Sequence, residues 1–261
     1  MMKLGMIRGC EPESFDAVKN LGLEFIEICR NYDDETVDFS NHVEEIKANF
    51  ARTGIPIRSV GRWNAECNVG GRIDEARFKI ITDLFDAAVA IGAPVFVCGC
   101  NYDESVSLYK NYTAAIELFG RLLDRAKASG TKIAVYNCDW NNFVYSDTQY
   151  KVVLGELPEL MIKFDASHAY NRGEDYIKLI SDWGDRFAHV HIKGTLHANG
   201  LRVDDPPAGM DDINWRSLFA ALYARKYDGG LSIEPHSVTW RGELGEKGVK
   251  FTIDFIKQFI L

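Results

Sequence analysis

Short β-rich segments alternate with longer amphipathic segments along the whole chain. The β-rich segments are KLGMI, FIEIC, IRSVG, VFVCGC, KIAVYNC, LMIKFD, FAHVHIK and GLSIEP. Each is followed by a segment with helical character. A parallel return between two strands needs a crossover of a dozen or more residues, so strands separated by helices indicate βαβ units. Eight such units predict an α/β fold, a closed (β/α)8 barrel.

The helical segments show the expected period and the expected ends. Between residues 73 and 92, one apolar stripe contains Phe78, Ile81, Phe85 and Ala88, which is the spacing of a helix with one buried face. A glycine precedes several of the strands, where a left-handed residue commonly ends a helix. These glycines are Gly22, Gly54, Gly92 and Gly130.

The length and the connections favour one domain. A chain of 261 residues is close to the roughly 250 residues of a typical β/α barrel. No Ser/Gly/Pro-rich linker divides it, so residues 1–261 are predicted to form a single barrel domain. The connection from Gly194 to Asn214 is polar and rich in proline. It predicts an irregular loop over the barrel mouth that acts as a lid.

Composition and charge narrow the classes of function. The formal charge is −8 with a pI of about 5.3, and no stripe of Lys and Arg occurs, so nucleic acid is not expected as a partner. There is no apolar stretch of membrane-spanning length and no signal-peptide pattern, so we expect no membrane partner and a cytoplasmic location. The six cysteines are scattered and are expected to be reduced. Motifs for dinucleotide, P-loop and α/β-hydrolase chemistry are absent from the sequence.

Carboxylates and imidazoles close the late strands. The sixth strand candidate ends at Asp165, the seventh carries His189 and His191 on one face, and the eighth ends at Glu234. Active sites of β/α barrels lie at these carboxyl ends. Carboxylate oxygen and neutral imidazole nitrogen together suit a divalent ion such as Mn²⁺, Mg²⁺, Co²⁺ or Zn²⁺. We therefore expect a metal site formed by Asp165, His191 and Glu234.

The series KFDASHAYNRGEDY, FAHVHIKGT and PAGMDDINWRSLFAALYARKYDGGLSIEP resembles the xylose-isomerase-like TIM barrels. That family includes sugar and sugar-phosphate isomerases and epimerases. Its pattern is Asp-x-x-His, His-x-His-x-Lys, a Pro-x-Gly loop and a Gly-rich approach to a strand-eight Glu. The resemblance implies that Asp165, His191 and Glu234 bind metal and that His168 contacts substrate. Lys193 and Arg202 are further candidates for contacts with substrate oxygens.

The fifth strand departs from this family pattern. The family places a metal-binding, acid/base Glu there, whereas this chain reads Val135-Tyr136-Asn137-Cys138. A phenol with a pKa near 10 is a poor general base at neutral pH. Three outcomes stay open: a three-ligand site completed by water, replacement of the Glu by Asp139 or Glu66, or loss of the metal. We favour the first, with Tyr136 exchanging a proton with a substrate oxygen.

The preferred function is a divalent-metal-dependent isomerase or epimerase of a sugar or sugar phosphate, which transfers a proton next to a carbonyl. Glu234 or His168 would move the proton, with Tyr136 as a third catalytic candidate. Trp63 is a candidate stacking surface and Asn137 a candidate polar contact for the sugar. Alternatives are a lyase or hydrolase of keto-glycosides and a sugar-binding barrel without turnover. Homo-oligomer formation stays open.

An apurinic-site endonuclease shares the barrel but needs histidines on earlier strands, and none of the six histidines ends the third or fourth strand. Together with the acidic charge, this argues against a DNA-repair function.

Overall fold

The computed structural model describes residues 1–261, in which eight parallel strands form a closed barrel. The barrel strands are β1 (Lys3–Ile7), β2 (Ile26–Cys29), β3 (Ile57–Arg62), β4 (Val95–Cys98), β5 (Lys132–Tyr136), β6 (Met161–Asp165), β7 (Phe187–Ile192) and β8 (Gly230–Ile233). Neighbours in the barrel are neighbours in the chain, and β1 pairs with β8 to close it. All eight predicted strand segments, and with them the fold class, are confirmed.

Helices surround the barrel and follow every strand. They are α1 (Pro12–Asn20), α2 (Asp33–Asn41), α3 (Val43–Thr53), α4 (Glu75–Ala90), α5 (Leu108–Ala126), α6 (Asp147–Glu156), α7 (Ala166–Asn171), α8 (Tyr176–Trp183), α9 (Trp215–Ala224) and α10 (Gly242–Lys257), with a 3₁₀ turn at Gly184–Arg186. Both β2 and β6 are followed by two helices. None of the helices is both long enough and apolar enough to span a membrane.

The predicted signals of helix α4 and of the helix ends are present. Ile81, Phe85 and Ala88 are buried, while Phe78 is only partly buried, under the guanidinium of Arg121. Asp74 begins the helix by accepting a hydrogen bond from the backbone N–H of Arg77. The four glycines expected before strands all have positive φ, between 65° and 77°, where a side chain would be strained.

The barrel interior is polar near the carboxyl ends of the strands, whereas the layer outside the strands is apolar. Val190 and Ile192 of β7 pack into the main hydrophobic core, and the alternate residues His189 and His191 face inward. Acidic and basic side chains that are at most 1% exposed occur on three strands: Glu27, Lys163, Asp165, His189 and His191. Buried charges of this kind need partners.

The connection between β7 and α9 differs from the predicted irregular loop. Leu196–Ala198 and Leu201–Asp204 pair as an antiparallel hairpin, with Asn199 and Gly200 at positive φ in the turn. We call residues 196–204 the β7 hairpin. The prediction of an irregular loop is wrong here because the Asn-Gly pair is a strong signal for a two-residue hairpin turn. A second, shorter hairpin pairs Asn68–Val69 with Arg72–Ile73.

Candidate active site

A cavity of about 670 Å³ opens at the carboxyl ends of the strands, within the usual size range of small-ligand sites. Five of the predicted site residues line it: Trp63, His168, Lys193, Arg202 and Glu234. The β7 hairpin contributes His197, Gly200 and Leu201 to the same wall. The connection therefore does lie at the barrel mouth, as the sequence predicts, although its backbone is regular.

The three predicted metal ligands meet in a cluster beside this cavity, which we call the cavity floor; of the three, only Glu234 lines the cavity itself. Asp165 and His191 are opposite each other in the register of β6 and β7, and Glu234 follows the end of β8. One ligand atom from each of the three lies within 4.8 Å of the others. The Nδ1 atom of His191 is 3.2 Å from Oε2 of Glu234 and 3.8 Å from Oδ2 of Asp165. The structure thus brings these three side chains together.

Glu27 on β2 is a component of the site that the sequence analysis did not identify. Its Oε2 atom lies 2.9 Å from Nε2 of His189 and 2.8 Å from Nε2 of His191. A carboxylate only accepts hydrogen bonds, so both Nε2 atoms donate and carry protons. The proton on Nε2 of His191 leaves Nδ1 to face Asp165 and Glu234. The signal available in the sequence was a single acid inside the apolar strand FIEIC.

Electrostatics keep both carboxylates of the floor charged. Burial alone would raise the pKa of Asp165 and of Glu234, but the neighbouring cationic groups, Lys193 foremost, together outweigh burial and hold both pKa values below their usual range. Burial likewise opposes protonation of His191. There the carboxylates of Glu27 and Glu234 prevail and raise its pKa.

Lys193 lies between the carboxylates and His168. Its Nζ atom is 3.3 Å from Oδ2 of Asp165, 3.3 Å from Oε2 of Glu234 and 3.0 Å from Nε2 of His168. An ammonium group only donates, so Nε2 of His168 accepts and is unprotonated. Burial and the adjacent Lys193 charge lower the pKa of His168 to about 3. His168 is therefore neutral near pH 7.

The two oxygens of Asp165 have different surroundings. Oδ1 accepts hydrogen bonds from the backbone N–H and the hydroxyl of Ser167, at 2.9 and 2.7 Å. Oδ2 is buried and accepts no hydrogen bond. The side-chain amide of Asn137 bonds to the backbone N–H and carbonyl of Asp165. Asn137, predicted to contact substrate, thus uses its amide to hold β6 and does not line the cavity.

Tyr136 is buried beside the cavity, and its hydroxyl points to backbone carbonyls. Its single proton is shared between the carbonyl oxygens of Trp63 and Trp140, the latter 2.8 Å from the hydroxyl oxygen. Its ring stacks on Trp63 with centroids 5.6 Å apart. Burial, above all, raises its pKa well above the usual value. The hydroxyl therefore stays protonated, and it joins the segments after β3 and β5.

The remaining predicted candidates lie at the rim or outside the cavity. Arg202 lines the cavity and forms an ion pair with Asp205, whose carboxylate also accepts from Nδ1 of His236 at 2.9 Å. Glu66, one proposed replacement for the strand-five Glu, pairs instead with Arg77 at 2.8 Å. Asp139, the other, lines the cavity but is not close enough to Asp165, His191 and Glu234 to share an ion with them.

The donor set at the cavity floor fits a divalent metal with three protein ligands. Asp165 supplies a buried oxygen that accepts no hydrogen bond, although the Lys193 ammonium lies 3.3 Å away, Glu234 supplies a second carboxylate, and His191 supplies an imidazole whose other nitrogen is held by a carboxylate. Carboxylate–histidine–metal arrangements of this kind are common because the carboxylate fixes the orientation of the ring. Three protein ligands leave positions for water or substrate, as in many catalytic sites.

Residues 15–259 match the family of xylose isomerase-like TIM barrels, so the chain belongs to that family. Among curated proteins, it is 28% identical over 174 residues to the uncharacterized protein YfiH of Bacillus subtilis (strain 168). That match spans 58% of this chain and only 54% of YfiH.

Two solved structures share the fold over nearly the whole chain. The 3-keto-D-glucoside 4-epimerase YcjR from E. coli is 19% identical with a TM-score of 0.78, and the match covers 99% of this chain and 100% of YcjR. A D-allulose 3-epimerase from Methylomonas sp. is 17% identical, also with a TM-score of 0.78, and the match covers 99% and 98% of the two chains.

Proposed function

We propose that this protein is a divalent-metal-dependent epimerase or isomerase of a sugar or sugar phosphate, which moves a proton at the carbon next to a carbonyl. The observation that carries the proposal is the convergence of Asp165, His191 and Glu234 on the floor of a cavity of sugar size. Family membership and the sugar epimerases among the similar structures support the same reaction class.

Asp165, His191 and Glu234 would hold the metal. When bound, a divalent ion polarises a carbonyl and an adjacent hydroxyl, which makes the C–H bond between them more acidic. Glu27 would keep the proton of His191 on Nε2, so that Nδ1 stays available. Ser167 holds the other oxygen of Asp165 in place. These contacts orient the ligands before substrate arrives.

Glu234 is the residue that we assign to proton transfer. Its side chain is 18% exposed at the cavity floor and is ionised, so a carboxylate oxygen can accept the proton from carbon. His168 is neutral, and with its low pKa it is a weak base. Its place beside Lys193 suits the binding of a substrate hydroxyl. Lys193 donates to oxygen as negative charge develops there. Trp63 and Arg202 lie where they can contact the ring and outer hydroxyls of a sugar.

A reaction with a single carboxylate base suits this cavity better than one with two. Epimerisation through two opposed carboxylates needs a second acid/base group, and the strand-five position holds Tyr136 with its hydroxyl donated to backbone carbonyls. A catalytic role for Tyr136 stays a prediction without support from this geometry. If Glu234 itself returned the proton, the reaction would be an isomerisation. Epimerisation would need the assistance of a bound water.

The test is exchange of substrate hydrogen with solvent. Purified protein with added Mn²⁺ is incubated in D₂O with a panel of ketoses, ketose phosphates and 3-keto-glycosides, and deuterium incorporation is followed by NMR. We expect exchange with at least one panel member and its loss in Glu234→Gln. The matched control is Glu243→Gln, because Glu243 is exposed and pairs only with Lys247. Absence of exchange across the panel would reject the proposal.

A second candidate function is a lyase of keto-glycosides. It is favoured because the strand-five position holds Tyr136, not a second carboxylate. Elimination of a group β to a carbonyl needs one base for the C–H proton and one acid for the leaving group, and it needs no opposed second carboxylate. Trp63 and Trp140 at the cavity wall are suitable surfaces for an aglycone ring. Release of an aglycone from a 3-keto-glycoside, with loss in Glu234→Gln, would favour the lyase. Tight sugar binding without either reaction would favour a binding protein.

A further inference from the structure

Lys193 is buried against two of the three predicted metal ligands. Its side chain is 4% exposed, and its Nζ atom is equally distant, at 3.3 Å, from Oδ2 of Asp165 and Oε2 of Glu234. Those two oxygens belong to the predicted metal ligands. The ammonium group and a divalent ion would therefore contact the same pair of oxygens.

The charges around the predicted metal ligands indicate that the Lys193 ammonium and a divalent ion cannot occupy the site together. The carboxylates of Asp165 and Glu234 already lie close to two buried ammonium groups, Lys193 and Lys163. A divalent ion added to this set would exceed the negative charge, and like charges at such short range repel strongly in a poorly solvated site. The fifth strand adds no carboxylate to offset the excess, since Tyr136 occupies that position.

The cavity next to Lys193 offers space into which its side chain can move. Lys193 lines the cavity, its stem has four flexible carbons, and the cavity provides solvent for the ammonium head. Lys163 differs in this respect. Its Nζ atom lies 5.3 Å from the centroid of the Trp63 ring, and Lys163 forms no ion pair. Lys163 is thus a nearby buried charge that does not compete for ligand oxygens.

We propose that Lys193 is a resident cation of the metal site, which bridges Asp165 and Glu234 in the metal-free protein and is displaced into the cavity when a divalent ion binds. This inference rests on the metal site of the proposed function and goes beyond it. Its consequence is a lowered metal affinity, because binding must break the two ion pairs of Lys193. Metal binding would also move the Lys193 ammonium group into the cavity, where a substrate oxygen can contact it.

The test compares Mn²⁺ binding by equilibrium dialysis and electron paramagnetic resonance in wild type, Lys193→Met and Lys163→Met. Each variant removes one buried positive charge, but only Lys193→Met frees the ligand oxygens. We expect Lys193→Met to bind Mn²⁺ more tightly than Lys163→Met by about tenfold, a typical effect of altering groups around a metal ligand. Equal gains in the two variants, or no gain in Lys193→Met, would overturn the inference.

A second measurement uses only the wild-type protein, so it holds even if Lys193→Met does not fold. Crystal structures with and without Mn²⁺ should show Nζ of Lys193 within ion-pair distance of Asp165 and Glu234 only when the metal is absent. A metal-bound structure with Nζ still against both oxygens would contradict displacement. If neither wild type nor Lys193→Met binds Mn²⁺, both this inference and the metal of the proposed function fail. If wild type and Lys193→Met bind Mn²⁺ equally tightly, only this inference is rejected.

Discussion

Oε2 of Glu27 lies 2.8 Å from Nε2 of His191, a contact between residues 164 positions apart in the chain. The same oxygen is 2.9 Å from Nε2 of His189. One buried carboxylate oxygen therefore fixes the orientation of two imidazoles on β7. Because His191 has only one other ring nitrogen, this contact determines which atom it presents to Asp165 and Glu234.

Glu27→Gln should weaken metal binding. The glutamine side chain has one oxygen and one NH₂ group, so it cannot serve as a charged acceptor for two imidazole N–H groups, and His191 is no longer held in one protonation pattern. We expect Mn²⁺ affinity to fall by about 10- to 100-fold, measured by isothermal titration calorimetry. Glu24→Gln is the control, because Glu24 is half-exposed and pairs with Lys3 at the surface. Unchanged affinity in Glu27→Gln would show that the contact does not orient the ligand.

Tyr136→Phe should lower stability and leave turnover nearly intact. The change removes the hydroxyl that donates to the carbonyls of Trp63 and Trp140, and loss of a buried donor of this kind costs about 1–3 kcal/mol. We expect a lower unfolding free energy in urea and kcat within a few-fold of wild type. A proton-transfer role would instead reduce kcat by about 10²–10⁴-fold.

A matched control for this substitution is Tyr150→Phe. Tyr150 is also buried, but its hydroxyl has no hydrogen-bond partner. Removing that hydroxyl should therefore be neutral or slightly stabilising. If both tyrosine variants lost the same free energy, the carbonyl contacts of Tyr136 would not be the cause.

The part of the candidate site that the sequence predicts consists of acidic and imidazole side chains at the ends of strands. Asp165, His191 and Glu234 close β6, β7 and β8, and in a parallel barrel the carboxyl ends of strands meet on one face. The alternation of β7 also placed His189 on the same side as His191. Residue type and position along the strand were sufficient for these assignments.

Other parts of the site depend on contacts that sequence spacing does not encode. Glu27 lies inside FIEIC, and only the closure of the barrel brings β2 near enough for its carboxylate to contact both histidines of β7. The direction of the Tyr136 hydroxyl depends on where two loops place their carbonyls. The position of Lys193 between two ligand carboxylates is likewise a tertiary feature, although its sequence motif was recognised.

Stability at alkaline pH should depend on the buried thiol of Cys98. This residue is fully buried in β4, and burial raises its pKa to about 12. In the unfolded chain a thiol ionises near its ordinary value of about 8.5. Because the folded pKa is the higher one, the contribution to stability is complete below about pH 8.5. It is lost as pH rises toward 12, since the unfolded state releases a proton that the folded state keeps.

The measurable consequence is a pH-dependent difference between wild type and Cys98→Ala. Alanine does not titrate, so the stability advantage of wild type should shrink by up to about 1.4 kcal/mol per pH unit above roughly pH 9, measured by urea unfolding under reducing conditions. Val97→Ala is the matched control, because Val97 is a fully buried neighbour on the same strand that does not ionise. Its stability deficit should stay constant over the same range. Parallel pH profiles for wild type and Cys98→Ala would mean that the thiol ionises equally in both states.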